Sequence, residues 1–152
     1  MLNFFLANRN LAQTYQQELI KKLDNLVRPE EFAPAGNIDP QAFYLEFKKR
    51  VLTLVNRETE KLKNDVHHND NCHLILLKHT VLVDVIIENS FKTALWFYNR
   101  NHLTTLREQD ILIAIVACGG YGREEMYFQL DVDVQIVSKA NEKCICFIGQ
   151  KS

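Results

Sequence analysis

An apolar segment, a glycine-rich turn and two closely spaced aspartates follow one another between residues 111 and 133. The apolar run covers 111–118, glycines occupy positions 119, 120 and 122, and Asp131 and Asp133 lie between apolar residues. A short apolar run bounded by glycines is typical of a buried strand. Side chains two residues apart in a strand leave the same face. We therefore predict a buried strand, a tight turn and a second strand that carries two parallel carboxylates.

Two carboxylates on one face repel each other unless a cation lies between them. Mg²⁺ bearing nucleotide phosphates meets this need, because it takes its oxygen ligands from carboxylates and phosphate together. The preceding glycines, Gly119 and Gly120, have a matching property. Backbone without a Cβ allows a phosphate to approach several N–H groups. The combination predicts a site for Mg²⁺ and a nucleotide.

This stretch resembles the signature of the polymerase-β-type nucleotidyltransferases, in which Gly-Gly or Gly-Ser is followed by Asp-x-Asp between apolar residues. It is more similar to the branch that contains the bacterial PII-protein uridylyltransferases and their uncharacterised relatives. Those proteins read Gly-Gly-Tyr-Gly-Arg-Gly-Glu-Leu and then Ser-Asp-x-Asp. The positions in register are Gly119, Gly120, Tyr121, Gly122, Arg123, Glu125, Asp131 and Asp133. Two residues depart from the pattern, Glu124 in place of a glycine and Leu130 in place of the serine.

The resemblance implies transfer of a nucleoside monophosphate from UTP or ATP to a protein hydroxyl, with a PII-like signal protein as a candidate partner. Asp131 and Asp133 would be the catalytic residues and the ligands of two Mg²⁺ ions, which promote in-line attack on the α-phosphorus. Gly119, Gly120 and Arg123 would contact the nucleotide, the glycines at the start of a short helix.

Three further residues of the signature are expected to be structural. The Tyr121 ring is predicted to pack under the turn, and Gly122 and Glu125 to shape it. Arg123 has two alternatives, a contact with phosphate or an ion pair with Glu125, and we favour the ion pair because the family keeps both residues together.

The family also takes a third carboxylate from a later strand. After Asp133 the one acid is Glu142, which lies in a polar turn, 139–143, between predicted strands at 132–137 and 144–148. We therefore expect the N-terminal portion of such an enzyme, with a truncated nucleotidyltransferase domain. A second hypothesis is a catalytically inactive remnant that serves as a nucleotide- or protein-binding regulatory module.

Hydrophobic periodicity predicts helices for residues 1–100. The first ends before Pro29, and a loop covers 28–37. Asp39 and Pro40 form an N-cap and first-turn pair that starts the second helix, which runs to about Asn64. A third helix covers about 71–98 and ends at 99–101. The prediction is an α+β chain: a helical segment of about three helices at 1–100, then the first strands of a nucleotidyltransferase-type mixed sheet at 101–152.

Other polar residues are weaker candidates for chemistry. The segment 67–73 contains three histidines, a cysteine and an aspartate, which is a zinc possibility, but a polar interhelical loop is favoured because adjacent ligands seldom converge on one metal. His79 is interpreted as a packing or surface residue. Asp84 and Glu88 share a helical face and are interpreted as surface acids.

Composition limits the function classes. The net charge is −1, from 18 basic and 19 acidic residues, so no broad basic field for nucleic acid is present. The four cysteines show no C-x-x-C spacing, which favours a reducing cytoplasm. No apolar run approaches the ~18 residues of a membrane span, so neither nucleic acid nor membrane is a predicted partner.

Overall fold

The computed structural model describes residues 2–32, 39–68, 71–111, 113–128 and 131–138. Helices dominate the chain, and a small two-stranded sheet follows them, which makes the fold α+β as predicted. The elements in chain order are α1 (Leu2–Leu26), α2 (Pro29–Phe32), α3 (Pro40–His68), α4 (Cys72–His102), a 3₁₀ turn (Glu108–Asp110), β1 (Ile113–Ala117), α5 (Gly119–Gly122) and β2 (Val134–Ser138).

The hydrophobic core lies between α1, α3 and α4. Apolar side chains recur on one face of each helix at spacings of three and four, so each helix has a stripe to bury. Leu19, Leu54 and Leu82, one from each helix, are at most 1 % exposed. The remaining members of this core are Leu23, Val27, Val51 and Val85. The predicted helical segment is therefore a packed three-helix unit.

The start of α3 confirms the predicted cap. The Asp39 carboxylate accepts hydrogen bonds from the backbone N–H groups of Gln41, at 3.2 Å, and Ala42, at 3.1 Å. Such a cap satisfies amides that have no partner within the helix. The predicted loop at 28–37 is wrong in part, because Pro29 begins the short helix α2. Proline suits a first helical position, where its missing N–H costs nothing.

Two helix ends differ from the prediction. Helix α3 continues past Asn64 to His68, and α4 continues through 99–101 to His102. Asn99 does not break α4, because its side chain reaches beyond the helix end: its Nδ2 donates to the Leu106 carbonyl at 2.7 Å, and its Oδ1 accepts from the Leu106 N–H at 3.0 Å. The helix ends at His102, and the next residue, Leu103, caps it with a left-handed φ of 51°.

The two strands pair antiparallel, with Ile115 opposite Ile136 and Ala117 opposite Val134. The prediction of a buried strand is wrong: Ile115 is 36 % and Val116 42 % exposed. A strand is buried on both faces only when other strands and layers cover it, and in the described part of the chain this sheet has two strands. The larger mixed sheet stays a prediction, as does the division of the chain at residue 100.

One face of the sheet turns toward the helices. Ile115 and Ile136 line an apolar groove of about 330 Å³ together with Phe43, Phe47 and Phe91 of α3 and α4. The alternation of side chains along a strand then directs Val116 and Val137 to the opposite face. Among the described residues, no helix combines the length and the apolar character that crossing a bilayer requires.

Candidate functional site

The glycine-rich turn joins the end of β1 to the segment that leads to β2. Immediately after β1 the chain enters the one-turn helix α5, where Gly122 N–H donates to the Cys118 carbonyl at 2.9 Å. Gly119 has a φ of +57°, in the left-handed region that side chains other than hydrogen disfavour. The first N–H groups of such a turn have no acceptor within the helix. The predicted short helix at the glycines is therefore confirmed.

The turn and the second aspartate lie in direct contact. Cys118 N–H donates to the Asp133 carbonyl at 2.9 Å, which extends the β1–β2 ladder by one pair. A Cβ added to Gly119 would lie 2.8 Å from Oδ2 of Asp133, closer than side chains tolerate. Glycine at 119 is favoured by its φ, and it leaves room for this carboxylate in the rotamer that the Asp133 side chain adopts. The start of the glycine turn, at residues 118 and 119, therefore lies beside Asp133 although 14 positions of sequence separate Gly119 from it.

The two aspartates precede β2 instead of lying within it. The prediction of a strand over 132–137 is wrong at its start, because β2 begins at Val134. The reason is the partner strand: β1 ends at Ala117 and the chain then enters α5, so β1 offers no residue to pair with 131 and 132. Both Asp131 and Asp133 are exposed. Alternation from β2 directs Asp133 to the face that carries Gln135 and Val137.

Gly122 also has a steric role. A Cβ at this position would lie 2.7 Å from the carbonyl oxygen of Ala117 and 3.2 Å from its carbonyl carbon. Helix α5 therefore folds back against the end of β1 at a separation that only glycine permits, in agreement with the structural role predicted for Gly122.

Glu124 occupies a glycine-type position. Its N–H donates to the Tyr121 carbonyl at 3.1 Å, and the Glu125 N–H donates to the Gly120 carbonyl at 2.9 Å. This pair of bonds is the Schellman arrangement that ends a helix, and it requires a left-handed residue at the position of Glu124. Glu124 has a φ of 60°. The residue that departs from the family pattern thus adopts the conformation that the pattern's glycine adopts most easily.

Glu124→Gly should be more stable than Glu124→Ala by about 1 kcal/mol, because alanine keeps the Cβ that disfavours a left-handed φ. Both changes remove the same carboxylate, so each variant serves as the other's control. The measurement is urea unfolding of the two proteins side by side. Equal stabilities, or a more stable alanine variant, would contradict a left-handed Glu124.

Two arginine–glutamate pairs flank the turn. Arg123 Nε donates to Glu125 at 2.9 Å, which confirms the predicted pairing, and Arg9 of α1 donates to Glu124 at 3.1 Å. The Arg123 and Glu125 side chains are 66 % and 57 % exposed. Exposed pairs of this kind contribute about 0–1 kcal/mol. Arg123 is therefore held only weakly, and a phosphate can compete for its guanidinium.

Tyr121 is buried, as predicted, but its hydroxyl has a partner that the sequence did not indicate. It donates to Oδ1 of Asp84 on α4 at 2.5 Å. Burial, followed by the bond to Asp84 and its charge, raises the pKa of Tyr121. Asp84 is exposed, which confirms its interpretation as a surface acid, but the bond from Tyr121 gives it a partner that its spacing from Glu88 does not indicate. Asp84 and Tyr121 line a cleft of about 360 Å³ with Glu88 and the β1 side chains that face α4.

The side chains of Asp131 and Asp133 are carboxylates, the kind of oxygen ligand that Mg²⁺ takes. Mg²⁺ is typically held by one or two carboxylates, water and the phosphates of its nucleotide, and not by a cage made only of protein groups. Both aspartates are exposed and hence accessible. Within the described ranges, no three His, Cys, Asp or Glu side chains are arranged to hold a metal ion by themselves. Glu142, Leu130 and part of the histidine-rich segment lie outside the described residues.

Sequence reasoning missed three residues that contact the signature, namely Arg9, His79 and Asp84. Each lies on a helix far away in the chain, and none has a local pattern that indicates the contact. His79 is buried, so its interpretation as a packing residue is confirmed, but it also bonds to the backbone of Met126.

Comparison of the whole chain with protein-family models, with curated proteins and with solved structures gives no match in any of the three.

Proposed function

We propose that this chain binds a nucleoside triphosphate with Mg²⁺ at the Gly119–Asp133 turn, as part of a nucleotidyltransferase of the PII-uridylyltransferase type. The observation that carries the proposal is the contact between Gly119 and the Asp133 carboxylate. The glycines that would admit a phosphate and one of the two carboxylates of the signature lie side by side there.

Further support comes from the departure at Glu124. The bonds around it reproduce a turn that favours glycine, which is the residue that the family pattern has at this position. The sequence resemblance is thus accompanied by a backbone conformation at position 124 that suits glycine, the residue of the family pattern. Arg123, exposed and weakly paired, adds a positive charge beside the turn.

In this proposal the donor is UTP or ATP and the acceptor is the hydroxyl of a protein such as a PII-like signal protein. The hydroxyl oxygen bonds to the α-phosphorus, and the bond between the α-phosphorus and the oxygen that bridges it to the β-phosphorus breaks. Pyrophosphate leaves, and the hydroxyl proton passes to solvent. Bound Mg²⁺ would neutralise charge on the phosphates. Asp131 and Asp133 would hold the metal, Gly119 and Gly120 would admit the phosphates to the backbone, and Arg123 would contact them.

Thermal unfolding with ligand tests the binding. Mg²⁺ with UTP or ATP, at about ten times the dissociation constant, should stabilise the chain by about 1.4 kcal/mol, which raises its Tm by about 3–6 °C. Asp131→Ala with Asp133→Ala should abolish the shift. The matched control is Glu18→Ala with Asp24→Ala, two exposed acids of α1, which should retain it. An unshifted wild-type Tm, or an equal shift in the aspartate variant, would refute the site.

A second candidate function is nucleotide binding without transfer, as in a regulatory module. It is favoured by the observation that the described residues bring no third acid to Asp131 and Asp133. Incubation with α-labelled UTP or ATP separates the two. Label that becomes covalently attached to a protein acceptor indicates transfer, whereas a ligand-dependent Tm shift without attached label indicates binding alone.

A further inference from the structure

Helix α4 contacts the signature at two points that the signature itself does not contain. Near one end of the turn, the Tyr121 hydroxyl donates to Asp84 Oδ1 at 2.5 Å. Further along, Nδ1 of His79 lies 3.0 Å from the Met126 carbonyl oxygen. Asp84 and His79 are five residues apart, about 7.5 Å along a helix axis. One rigid element therefore holds both the glycine turn and the segment that leads to the aspartates.

The contact at Asp84 joins a buried ring to a carboxylate that has lost part of its water. Tyr121 is 6 % exposed. Burial raises the pKa of Asp84, the bond from Tyr121 acts in the opposite direction, and the charges of Glu124 and Glu88 raise it further. The hydrogen bond from the Tyr121 hydroxyl stabilises the charged form of the partly desolvated Asp84 carboxylate. The Tyr121 hydroxyl therefore joins α5 to α4, a connection that the Arg123–Glu125 pair within the turn does not make.

The contact at His79 fixes the next segment. His79 is 8 % exposed, and its ring meets Phe128 edge-on with centroids 4.8 Å apart. A carbonyl oxygen can only accept a hydrogen bond. Nδ1 of His79 therefore carries the ring proton and donates the hydrogen bond to the Met126 carbonyl. Met126 is itself 1 % exposed. The chain is thus anchored at 126–128, shortly before it reaches Asp131.

We propose that Asp84 and His79 are positioning residues of the nucleotide site: acting through Tyr121 and Met126, they fix the glycine turn relative to Asp131 and Asp133. This inference rests on the function proposed above. The two aspartates are exposed and precede β2, and within the described residues the sheet contacts Asp133 through the Cys118 bond. Their placement for a metal–phosphate complex therefore depends on the segments that α4 holds.

Binding measurements on four variants test the Asp84 contact. Tyr121→Phe and Asp84→Ala should each weaken the affinity for Mg²⁺ with UTP or ATP by about tenfold. Because both changes remove the same hydrogen bond, the double variant should bind the nucleotide no more weakly than either single variant. Asp84→Asn keeps an acceptor oxygen and should recover most of the affinity. Titrations are made well below each variant's Tm, with helicity checked by circular dichroism.

Glu88→Ala is the matched control. Glu88 lies one turn after Asp84, is exposed, and pairs with Lys92 at 2.6 Å on its own helix. Its removal should leave the nucleotide affinity within about twofold, since an exposed pair contributes little. For the second contact, His79→Leu should weaken binding, and His79→Asn, which retains an N–H donor near the same place, should weaken it less.

The outcomes separate this inference from the proposed function. If the wild-type protein binds no nucleotide, or binds it independently of Asp131 and Asp133, the proposed function fails and this inference fails with it. If the wild-type protein binds and Tyr121→Phe, Asp84→Ala and His79→Leu bind as tightly, the positioning role alone is overturned. Additive losses for Tyr121→Phe and Asp84→Ala would also overturn it, because Asp84 would then not act through Tyr121.

Discussion

Replacing Glu58 by glutamine should lower the free energy of unfolding by about 2–3 kcal/mol at neutral pH. The Glu58 side chain is 2 % exposed and has three cationic neighbours. Lys22 and Lys61 each lie 3.2 Å from Oε1, and Arg57 lies 3.3 Å from it. Because these cations are 33 %, 56 % and 55 % exposed, they can regain water after the change. The expected loss is therefore below that of a fully buried pair.

The pH dependence of this loss follows from the pKa of Glu58. Burial by itself raises this pKa, but the hydrogen bonds and charges of Lys22 and Lys61 outweigh burial and hold it below its ordinary value of 4.5. A carboxyl with a lowered folded pKa stabilises the protein above its unfolded pKa, and this contribution is lost as the pH falls through the folded value. The difference between wild type and Glu58→Gln should therefore shrink in acid.

Urea unfolding at neutral and acidic pH measures both effects. Glu60→Gln is the matched control, because Glu60 lies on the same helix and pairs with Lys63 at 2.8 Å but is 65 % exposed. Its replacement should change stability by less than about 0.5 kcal/mol. A Glu58→Gln loss that equals the control's, or one that is undiminished in acid, would contradict this account of α1–α3 packing.

Gly122→Ala should destabilise the β1–α5–β2 unit by about 2–3 kcal/mol, the usual cost of forcing an extra group into a packed site. The new Cβ would meet the Ala117 carbonyl oxygen at 2.7 Å. That oxygen belongs to the backbone of a paired strand and cannot rotate away, as the end of a side chain could. Either α5 or the end of β1 must move.

Amide hydrogen exchange in β1 and β2 measures this local stability. Exchange at the Val116 and Gln135 amides, which face each other as a hydrogen-bonded pair of the ladder, should be faster in Gly122→Ala than in the wild type. Gly120→Ala is the control, since Gly120 lies in the same turn with neither a positive φ nor a comparably close contact. Unchanged exchange in Gly122→Ala, or an equal effect of both changes, would show that α5 does not rest on Ala117 as described.

Elements with local causes were predictable from the sequence. The Asp39 cap depends on a side chain and two amides within three residues, so its signal lies in neighbouring letters. The same is true of the glycine turn and of the Arg123–Glu125 pair. The end of α4 could not be predicted at Asn99, because an asparagine that stops a helix and one that bonds to the following loop are identical in sequence.

Burial of β1 was not predictable in the same way. Its apolar letters indicate a strand but do not reveal how many layers cover it. The described residues supply one partner strand and helices on one face, so Ile115 and Val116 remain partly exposed. The start of β2 was likewise decided by where β1 stops pairing and not by the residues of β2.

The sequence by itself determined the turn: glycines where a left-handed φ or a close approach requires them, and two carboxylates at strand spacing. These features depend on backbone sterics and short-range periodicity, which neighbouring residues encode. Only the tertiary structure decided what holds the turn in place. Asp84 and Tyr121 are 37 positions apart, and His79 and Met126 are 47 apart. Such pairs form only when α4 and residues 121–126 come together in the folded chain, and no local pattern specifies that contact.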